Sequence, residues 1–382
     1  MAHSCFKGGQ GIAGRAGKGK MVKRAPLWVL GTMSGTSLDG VDAAMLRSDG
    51  LEILEFGPHA YRPYTAAEQT TIRAAFGQWP GDPDVAAAAE VVETAHAELM
   101  ERFSGVDLIG FHGQTLAHDP ANRRSHQAGN GALLAEALGK PVVWDFRSSD
   151  IELGGQGAPL VPFFHHACAR WIKASAPLAI LNLGGVGNLT WIDPGQSEQA
   201  LLAFDTGPAN APINDMMQIR LQKPCDEGGA LAATGVPDQS LVQSFLHQPY
   251  FHKIPPKSLD RDAFTKFLRK THRLSNADAA ATLTAIAAAC VAKGVEHFPS
   301  PITRLLVTGG GRLNATLMRE LSTRMPCKVD PIESAGLNGD MLEAQAFAYL
   351  AARVLYGLPT SAPGTTGVPT TVGGGQISRP DP

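Results

Sequence analysis

The sequence predicts an α/β protein made of two lobes that share one plan. Short apolar runs of strand type alternate with helical patterns, which is the order found in layered α/β folds. Glycine-rich segments stand at predicted strand ends in both halves, and two such lobes would leave a cleft for ligands between them. Each half opens with three closely spaced strands, predicted at residues 28–30, 41–46 and 53–56 and again at 178–183, 189–192 and 201–204.

The first lobe is predicted to span residues 25–150, with residues 341–382 packing back on it. Only turn residues separate its three opening strands, so we expect an antiparallel meander with a glycine-rich hairpin tip. The later elements are predicted as helices at 66–76, 85–103 and 131–138 and short buried strands at 108–111 and 142–144.

The second lobe is predicted to span residues 151–340 and to repeat this order. The tail from Pro359 is rich in Pro, Gly and Thr, a composition that predicts irregular chain over the surface. The predicted elements besides the three strands are a helix at 162–173, a helix at 277–297, a strand at 305–308 and helices near 315–325 and 341–355.

Composition excludes several classes of protein. The 382 residues, 44% of them hydrophobic, are enough for two packed cores. A net charge of -2 gives no field suited to nucleic acid or an anionic membrane surface. The five cysteines include no Cys-x-x-Cys pair, which favours reduced thiols. We therefore expect a cytoplasmic protein that binds neither nucleic acid nor membrane.

Residues 1–24 are predicted to be a loose N-terminal extension. They contain basic but no acidic side chains, and the apolar run that follows is too short for a secretory signal. The pattern Gly9-x-Gly11-x-x-Gly14 matches a dinucleotide-binding motif, but it does not follow a predicted strand. We interpret this match as accidental.

Three glycine-rich segments predict a site for phosphate groups. Glycine lets backbone amides approach an anion closely, and serine or threonine hydroxyls add donors. Three such segments would hold the phosphates of a nucleotide from two sides. The segments are Gly31-Thr-Met-Ser-Gly-Thr-Ser-Leu-Asp-Gly-Val-Asp42, Leu181-Asn-Leu-Gly-Gly-Val-Gly-Asn-Leu-Thr190 and Val307-Thr-Gly-Gly-Gly311.

The first segment is expected to bind both phosphate and magnesium. Asp39 and Asp42 offer oxygen ligands for Mg²⁺, directly or through water. An ordinary hairpin turn would explain Asp39-Gly40 but not the Ser, Thr and Gly density before it. The predicted nucleotide-binding residues here are Gly35, Thr36, Ser37, Leu38, Asp39, Gly40, Val41 and Asp42.

The other two segments are expected to hold the nucleotide from the second lobe. Gly184, Gly185 and Gly187 would grip phosphates, since glycine permits close backbone approach. Gly309, Gly310 and Gly311 precede a predicted helix and would pass close to adenosine. A flexible strand-to-helix turn is the alternative for the last three.

Taken together in their order, the motifs of this chain resemble the anhydro-N-acetylmuramic acid kinase family, from about residue 27 to 358. The resemblance implies a two-lobed actin-like ATPase fold, each lobe with a ribonuclease-H-like mixed sheet flanked by helices, and MgATP between the lobes. It implies that 1,6-anhydro-N-acetylmuramic acid, ATP and water give N-acetylmuramic acid 6-phosphate and ADP in peptidoglycan recycling. It also implies a homodimer. The further motifs are Phe111-His-Gly-Gln-Thr115, Asp145-Phe-Arg147, Gly154-Gly-Gln-Gly-Ala-Pro-Leu-Val-Pro162 and Phe204-Asp-Thr-Gly-Pro208.

Asp205 is the predicted catalytic base. It follows a predicted strand, and the resemblance maps the family's catalytic aspartate onto it. Water that attacks C1 of the internal acetal needs a base, whereas the γ-phosphate can accept the departing O6, so one carboxylate suffices. An aspartate that caps the turn before Thr-Gly-Pro is the structural alternative.

The sugar pocket should offer neutral donors and a cation, because the sugar carries hydroxyls, an acetamido group and a lactyl carboxylate. Arg147 would make paired hydrogen bonds to that carboxylate, or else an ion pair with Asp145 or Asp150. Glu343 matches a family glutamate near the cleft. The predicted substrate-binding residues are His112, Gln114, Arg147, Gln156 and Glu343.

Two other functions stay open at this point. A kinase of the same fold could phosphorylate another sugar, because a fold does not determine its substrate. A nucleotide-gated chaperone or filament protein without small-molecule chemistry is the second, although the sequence shows no appended peptide-binding region.

Overall fold

The computed structural model describes residues 24–381, so the predicted extension and its glycine pattern lie outside the described residues, apart from Arg24. The strands are β1 (Leu27–Ser34), β2 (Gly40–Ser48), β3 (Ile53–Pro63), β4 (Leu108–Asp119), β5 (Arg124–Ala128), β6 (Val142–Trp144), β7 (Leu178–Leu183), β8 (Val186–Ile192), β9 (Leu202–Pro208), β10 (Arg304–Thr308), β11 (Lys328–Pro331) and β12 (Gln376–Ser378). The α-helices are α1 (Ala66–Ala74), α2 (Val85–Met100), α3 (Gly131–Leu138), α4 (Ser148–Glu152), α5 (Pro162–Trp171), α6 (Asn210–Leu221), α7 (Gln239–Leu246), α8 (Thr265–Leu268), α9 (Asn276–Val295), α10 (Ala315–Arg324), α11 (Leu342–Leu355) and α12 (Pro363–Thr366).

Two mixed sheets with the same strand order form the framework. The first runs β12-β6-β4-β1-β2-β3, with β5 paired to β4, and the second runs β11-β10-β7-β8-β9. In each sheet the opening strands form an antiparallel meander, one later strand pairs parallel with the first strand of that meander, and a second later strand pairs parallel with that one. This repeated order confirms the predicted two-lobed α/β fold with ribonuclease-H-like sheets.

Two strand glycines let helix α11 lie directly on the first sheet. A Cβ atom at Gly31 would collide with the carbonyl of Ala344, and one at Gly110 would collide with the carbonyl of Phe347. Because this face of the sheet has no side chain there, the helix contacts the strand backbone. The close approach places the first turns of α11 at the edge of the cleft.

Helix α9 is the apolar core helix of the second lobe. By length and composition it could cross a membrane, but 78% of its most apolar window is buried inside the protein. It packs against α7, α10 and β9, and small alanine side chains on most of its faces allow these close contacts. Its N-terminus is capped by Ser275, whose hydroxyl accepts the backbone N–H of Asp278.

The prediction for the C-terminal tail was only partly correct, because exposed residues alternate with buried ones between Pro359 and Asp381. Thr360, Ser361 and Ala362 are at most 2% exposed, and β12 pairs antiparallel with β6 at the edge of the first sheet. Its composition correctly indicates irregular backbone, but irregular backbone can be buried when its polar groups find partners. The Thr366 hydroxyl, for example, donates to the buried carboxylate of Asp150.

Candidate active site

A cavity of about 200 Å³ lies between the two lobes. Met33 at the end of β1 and Glu343 in α11 line one side of it. Asp205 in β9 lines the other side. The cavity is therefore lined by the predicted base and by three predicted sugar ligands, which are Arg147, Gln156 and Glu343.

The Asp205 carboxylate is held by two donors from separate parts of the chain. Asn188 donates its amide N–H to Oδ1 at 2.9 Å, and the backbone N–H of Leu259 donates to Oδ2 at 2.8 Å. Burial raises the pKa of Asp205 to about 6, and these two hydrogen bonds oppose the rise. A carboxylate with that pKa is poised to take a proton near neutral pH. Asp205 was predicted to follow a strand into a turn, but it lies within β9, which continues to Pro208, and its donors are Asn188 and Leu259, so the turn-capping alternative does not describe it.

A short segment, residues 256–259, crosses the cavity beside Asp205. The Asp205 backbone N–H donates to the carbonyl of Lys257 at 2.9 Å. The Ser258 hydroxyl donates to Oε1 of Gln156 at 3.0 Å, which links this second-lobe segment to the chain that follows α4. Gln156 therefore reaches the cavity with its amide N–H₂ group free of any side-chain partner in the described residues.

Arg147 brings a positive charge to the cavity without a carboxylate partner. Its Nη1 donates to the carbonyl of Gly157 at 2.6 Å, and its remaining contacts are to the ring of His112. Within residues 24–381, no carboxylate oxygen lies within 4.0 Å of its guanidinium nitrogens, so the predicted alternative of an ion pair with Asp145 or Asp150 is not observed. Burial lowers the pKa of Arg147 to about 10, which leaves it charged at neutral pH.

His112 and Gln114 lie behind the cavity wall. The His112 Nδ1–H donates to the carbonyl of Gly113 at 2.8 Å, which leaves Nε2 to accept from Arg147 at 2.9 Å. The Gln114 side chain is fully buried and accepts a hydrogen bond from the Ser34 hydroxyl. Both were predicted as sugar ligands, but neither lines the cavity that holds Asp205.

The first glycine-rich segment forms the tip of the β1–β2 hairpin, as predicted. Thr36 and Ser37 are exposed there, and the backbone N–H of Leu38 closes the turn on the Gly35 carbonyl at 3.1 Å. Leu38 has a positive φ of 61°, and its side chain is buried in the core of the first lobe together with that of Val41. Only the backbone at these two positions is free to face a ligand.

Four carboxylates gather beside this hairpin. Burial first, and then the charges of Glu343, Asp340 and Asp39, raise the pKa of Asp42 to about 7. The neighbouring charges add to the effect of burial, although Asp340 is itself paired with Arg312 at 2.7 Å. Among residues 24–381 no three His, Cys, Asp or Glu side chains are close enough together to ligate a metal ion by themselves. A cation here would need phosphate or water as further ligands.

The second and third glycine-rich segments lie side by side at the start of α6. Thr308 of β10 pairs with Asn182 of β7, so both strands end at the same edge of the sheet. The Gly184 carbonyl accepts the backbone N–H of Asn210, whose side chain donates to the carbonyl of Leu183 at 2.7 Å. Gly310 has an open face, with no atom nearer than 4.0 Å to a Cβ built there.

The other glycines in these two segments have packing contacts. A Cβ at Gly187 would meet the Thr206 hydroxyl, and one at Gly311 would meet the side chain of Leu183. Gly309 adopts a positive φ of 73°, which suits glycine. Gly185 accepts backbone N–H groups from Ala209 and Ala211. The glycines thus bring two loops and a helix start together beside the cavity.

Comparison with known proteins decides the family. Residues 27–379 match the profile described as anhydro-N-acetylmuramic acid kinase. The chain belongs to this family. A protein of that name from Cereibacter sphaeroides is 62% identical over 365 residues, covering 94% of this chain and 98% of the relative. Another from Rhodospirillum rubrum is 49% identical over 356 residues, covering 91% and 93%.

The solved structures that match this chain are much more distant. An activator of 2-hydroxyisocaproyl-CoA dehydratase from Clostridium difficile has a TM-score of 0.42 and 12% identity, covering 85% of this chain and 94% of that one. A ROK family glucokinase from Streptomyces griseus has a TM-score of 0.38 and 14% identity, covering 85% and 99%. These scores are too low to support an argument about function.

Membership of the anhydro-N-acetylmuramic acid kinase family confirms the predicted family and the predicted class of enzyme, a phosphotransferase. Sequence reasoning missed three polar residues of the site. Asn182 and Asn188 lie inside the second glycine-rich segment, where the prediction rested on the glycines and not on the asparagines. Ser258 lies in a segment whose only sequence signal is a run of prolines before a basic residue.

Proposed function

We propose that this protein cleaves the 1,6-anhydro bond of 1,6-anhydro-N-acetylmuramic acid with water and phosphorylates the freed O6 with ATP. The products are N-acetylmuramic acid 6-phosphate and ADP, as part of peptidoglycan recycling. The observation that carries the proposal is the cavity between the lobes, which is lined both by the Asp205 carboxylate, whose pKa is raised, and by the Arg147 guanidinium, which makes no direct ion pair among residues 24–381. Membership of the family supports the same reaction.

Asp205 acts as the general base. Its carboxylate accepts a proton from the water whose oxygen forms the new bond to C1. The C1–O6 bond breaks, and O6 bonds to the γ-phosphorus of ATP as the bond from that phosphorus to the bridging oxygen of ADP breaks. Two donors fix the carboxylate while its other lone pairs stay free for the water. No second carboxylic acid is required, because phosphorus accepts the departing oxygen.

Arg147, Gln156 and Glu343 bind the sugar. Arg147 has the charge and the planar donor geometry for the lactyl carboxylate. Gln156 and Glu343 line the same cavity and offer an amide and a carboxylate to the hydroxyl and acetamido groups. His112 and Gln114 act from behind the wall, where His112 contacts Arg147 and Gln114 contacts the end of β1.

ATP binds along the three glycine-rich segments. The exposed hydroxyls of Thr36 and Ser37 and the open backbone at Gly310 suit phosphate and nucleoside groups. Asp39 and Asp42 fit a hard divalent cation, because carboxylate oxygens are the ligands it prefers and the charge of Asp39 is among the causes that raise the pKa of Asp42. Asp39 and Asp42 would hold Mg²⁺, which would supply positive charge against the phosphate oxygens.

The cellular setting of the enzyme is part of the proposal. A cytoplasmic location agrees with the free thiols of Cys168, Cys225, Cys290 and Cys327. We also propose a homodimer, which the family resemblance implies and which sedimentation of the purified protein would measure. Neither nucleic acid nor membrane is expected as a partner at a net charge of -2.

The decisive experiment supplies purified protein with ATP, Mg²⁺ and 1,6-anhydro-N-acetylmuramic acid and measures ADP and the product mass. Sugar-dependent ADP release and a product heavier by one water and one phosphoryl group are expected. ADP release only with other sugars would reject the assignment and favour a different sugar kinase. Nucleotide-dependent assembly or client binding without sugar-dependent ADP would favour a non-enzymatic role.

Asp205→Asn tests the base. Loss of the proton acceptor should lower kcat by roughly 10²- to 10⁴-fold while ATP binding stays intact. Asp193→Asn is the matched control, because Asp193 caps a surface turn by accepting the backbone N–H of Gly195 at 3.0 Å. Nearly normal turnover by Asp205→Asn would remove Asp205 from the mechanism.

A further inference from the structure

Asn182 and Asn188 face each other across the β7–β8 hairpin that carries Gly184 and Gly185. They are direct partners in the antiparallel register. Direct cross-strand partners project their side chains to the same face of a sheet. Both asparagines also line the cavity that holds Asp205.

Each asparagine holds a different carboxylate. The Asn188 amide donates to Oδ1 of Asp205 at 2.9 Å, within the second lobe. The Asn182 amide donates to Oε1 of Glu343 at 3.1 Å, and Glu343 belongs to helix α11 on the first sheet. One hairpin thus contacts both carboxylates of the cavity, and one of these contacts joins the two lobes.

Among residues 24–381, Asn188 is the one side chain that donates a hydrogen bond to the Asp205 carboxylate. Lys257 is the basic residue of the neighbouring segment 256–259, but its Nζ lies over the rings of Phe204 and Tyr250. The Tyr250 hydroxyl donates to the backbone carbonyl of Asp205 and not to its side chain. The charged or titratable groups around Asp205 are Tyr250, Lys257, Arg147 and Glu343.

A neutral amide is well suited to this position. A cation in contact with Asp205 would lower its pKa strongly and weaken it as a base. An amide orients the carboxylate at a smaller cost in basicity, because it carries no net charge. The structure therefore combines a fixed geometry with a carboxylate that remains basic.

We propose that Asn188 and Asn182 are positioning residues, which set the direction of the Asp205 carboxylate and its spacing from Glu343 through the glycine hairpin. This inference rests on the proposed function, in which Asp205 is the base. The same hairpin carries Gly184 and Gly185 beside the predicted phosphate site. A nucleotide that orders this hairpin would therefore also order both carboxylates.

Asn188→Ala is the first test. Loss of a hydrogen bond to a charged group should lower kcat by roughly 10- to 100-fold, with the KM for the sugar nearly unchanged. The wild-type rate should fall as the pH drops through the pKa of Asp205, and this acid limb should move to higher pH in the variant. Asn188→Asp, which is isosteric but adds a like charge, should move the limb further in the same direction.

Asn182→Ala should give a different result. It should lower kcat/KM for the sugar without moving the acid limb, because its partner is Glu343 and not the base. The matched control is Asn122→Ala, since the Asn122 amide donates to the Asp119 carboxylate at 2.8 Å on the surface. This control should leave kcat, KM and the acid limb unchanged.

The pKa of Asp205 can be measured without any turnover. The ¹³C carboxyl signal of Asp205, assigned by its loss in Asp205→Asn, should titrate at higher pH in Asn188→Ala than in the wild type. An unchanged titration, or an unchanged acid limb with normal kcat, would overturn the role of Asn188. Absence of sugar-dependent ADP release by the wild type would instead reject the proposed function, and the ¹³C titration would still decide the role of Asn188.

Discussion

Arg147 and Arg353 both carry a guanidinium charge into the protein, but their surroundings differ. Arg353, in α11, is 0% exposed and makes a two-pronged ion pair with Glu198 of the second lobe at 2.6 and 2.8 Å. It also donates to the carbonyl of Gly50 at 2.9 Å. Arg147 has a histidine nitrogen and a carbonyl as partners and faces the cavity.

The difference indicates that Arg353 stabilises the fold through its ion pair, whereas Arg147 is placed to bind a ligand. Burial of an ion is costly unless a counterion and hydrogen bonds compensate it. Glu198 supplies that compensation for Arg353, and the ring of Phe163, 4.7 Å from the guanidinium, adds a cation–π contact. For Arg147 the charges of Glu343 and Asp150 offset burial only in part and without a direct ion pair among residues 24–381, and the lactyl carboxylate of the proposed substrate would add a direct partner.

The largest effect is expected from Arg353→Ala. It leaves Glu198 without its partner and opens a gap beside Tyr349, so the free energy of unfolding should fall by about 3–5 kcal/mol. Urea denaturation followed by circular dichroism measures this change. The matched control is Arg170→Ala, which removes an exposed ion pair to Glu52 and should cost only about 0–1 kcal/mol.

Equal losses of unfolding free energy in Arg353→Ala and Arg170→Ala would contradict the contrast between a buried and an exposed ion pair. Arg353→Met adds a second comparison, because it keeps most of the side-chain volume while removing the charge. Its free energy of unfolding should lie between those of the wild type and Arg353→Ala, since methionine fills the gap but leaves Glu198 unpaired.

Arg147→Ala should change substrate use more than stability. Loss of a paired contact to a carboxylate should lower kcat/KM for 1,6-anhydro-N-acetylmuramic acid by roughly 100-fold, or about 2–3 kcal/mol. The matched substrate is 1,6-anhydro-N-acetylglucosamine, which lacks the lactyl group. The variant should lose the preference of the wild type between these two sugars.

Arg147→Lys keeps the charge but not the planar pair of donors, so part of the preference should return. If Arg147→Ala lowered kcat/KM equally for both sugars, Arg147 would shape the cavity and would not recognise the lactyl carboxylate. The free energy of unfolding, measured in the same preparations, should fall by less than it does in Arg353→Ala.

The two arginines also show what sequence can and cannot predict. For Arg147, neighbouring acids in the chain made Asp145 and Asp150 the obvious partners, yet Asp145 accepts from Gln376 and Asp150 accepts from Gly157. For Arg353, no local pattern points to Glu198, which is 155 residues away. Ion-pair partners so far apart in the chain are determined by how the sheets and helices pack, and this packing cannot be read from a single sequence.

The same limit applies to the elements of the fold. Strands with continuous apolar runs, such as β7, were predicted at their observed bounds because burial on both faces requires those residues. Strands β5 and β11 were missed because they are short and polar. Asp205 was predicted from its place beside a strand and from the family resemblance, whereas the contact of Asn188 with it depends on the pairing of β8 with β9, which the sequence does not show.

The smallest effect is expected from His112→Gln. His112 contacts Arg147 but not the cavity, and Arg147 keeps the Gly157 carbonyl in its absence. We expect kcat/KM for the sugar to fall by roughly 3- to 10-fold, or about 1 kcal/mol, because the variant loses the imidazole acceptor for Arg147 but keeps the charge of Arg147. His247→Gln, on an exposed part of the second lobe, is the kinetic control and should leave kcat/KM unchanged.

The difference in unfolding free energy between the wild type and His112→Gln should also depend on pH. Burial, and then the charge of Arg147, hold the pKa of His112 well below its usual value of about 6.5. Below that pH the unfolded chain binds a proton at His112 that the folded protein does not, so folding stability falls as the pH drops. His112→Gln removes this contribution, so the difference in unfolding free energy between wild type and variant should shrink from pH 8 to pH 5. A difference that stays constant over this range would show that His112 titrates alike in the folded and unfolded protein, and at pH 5 Arg147 would then face a second cation where the structure places a neutral acceptor.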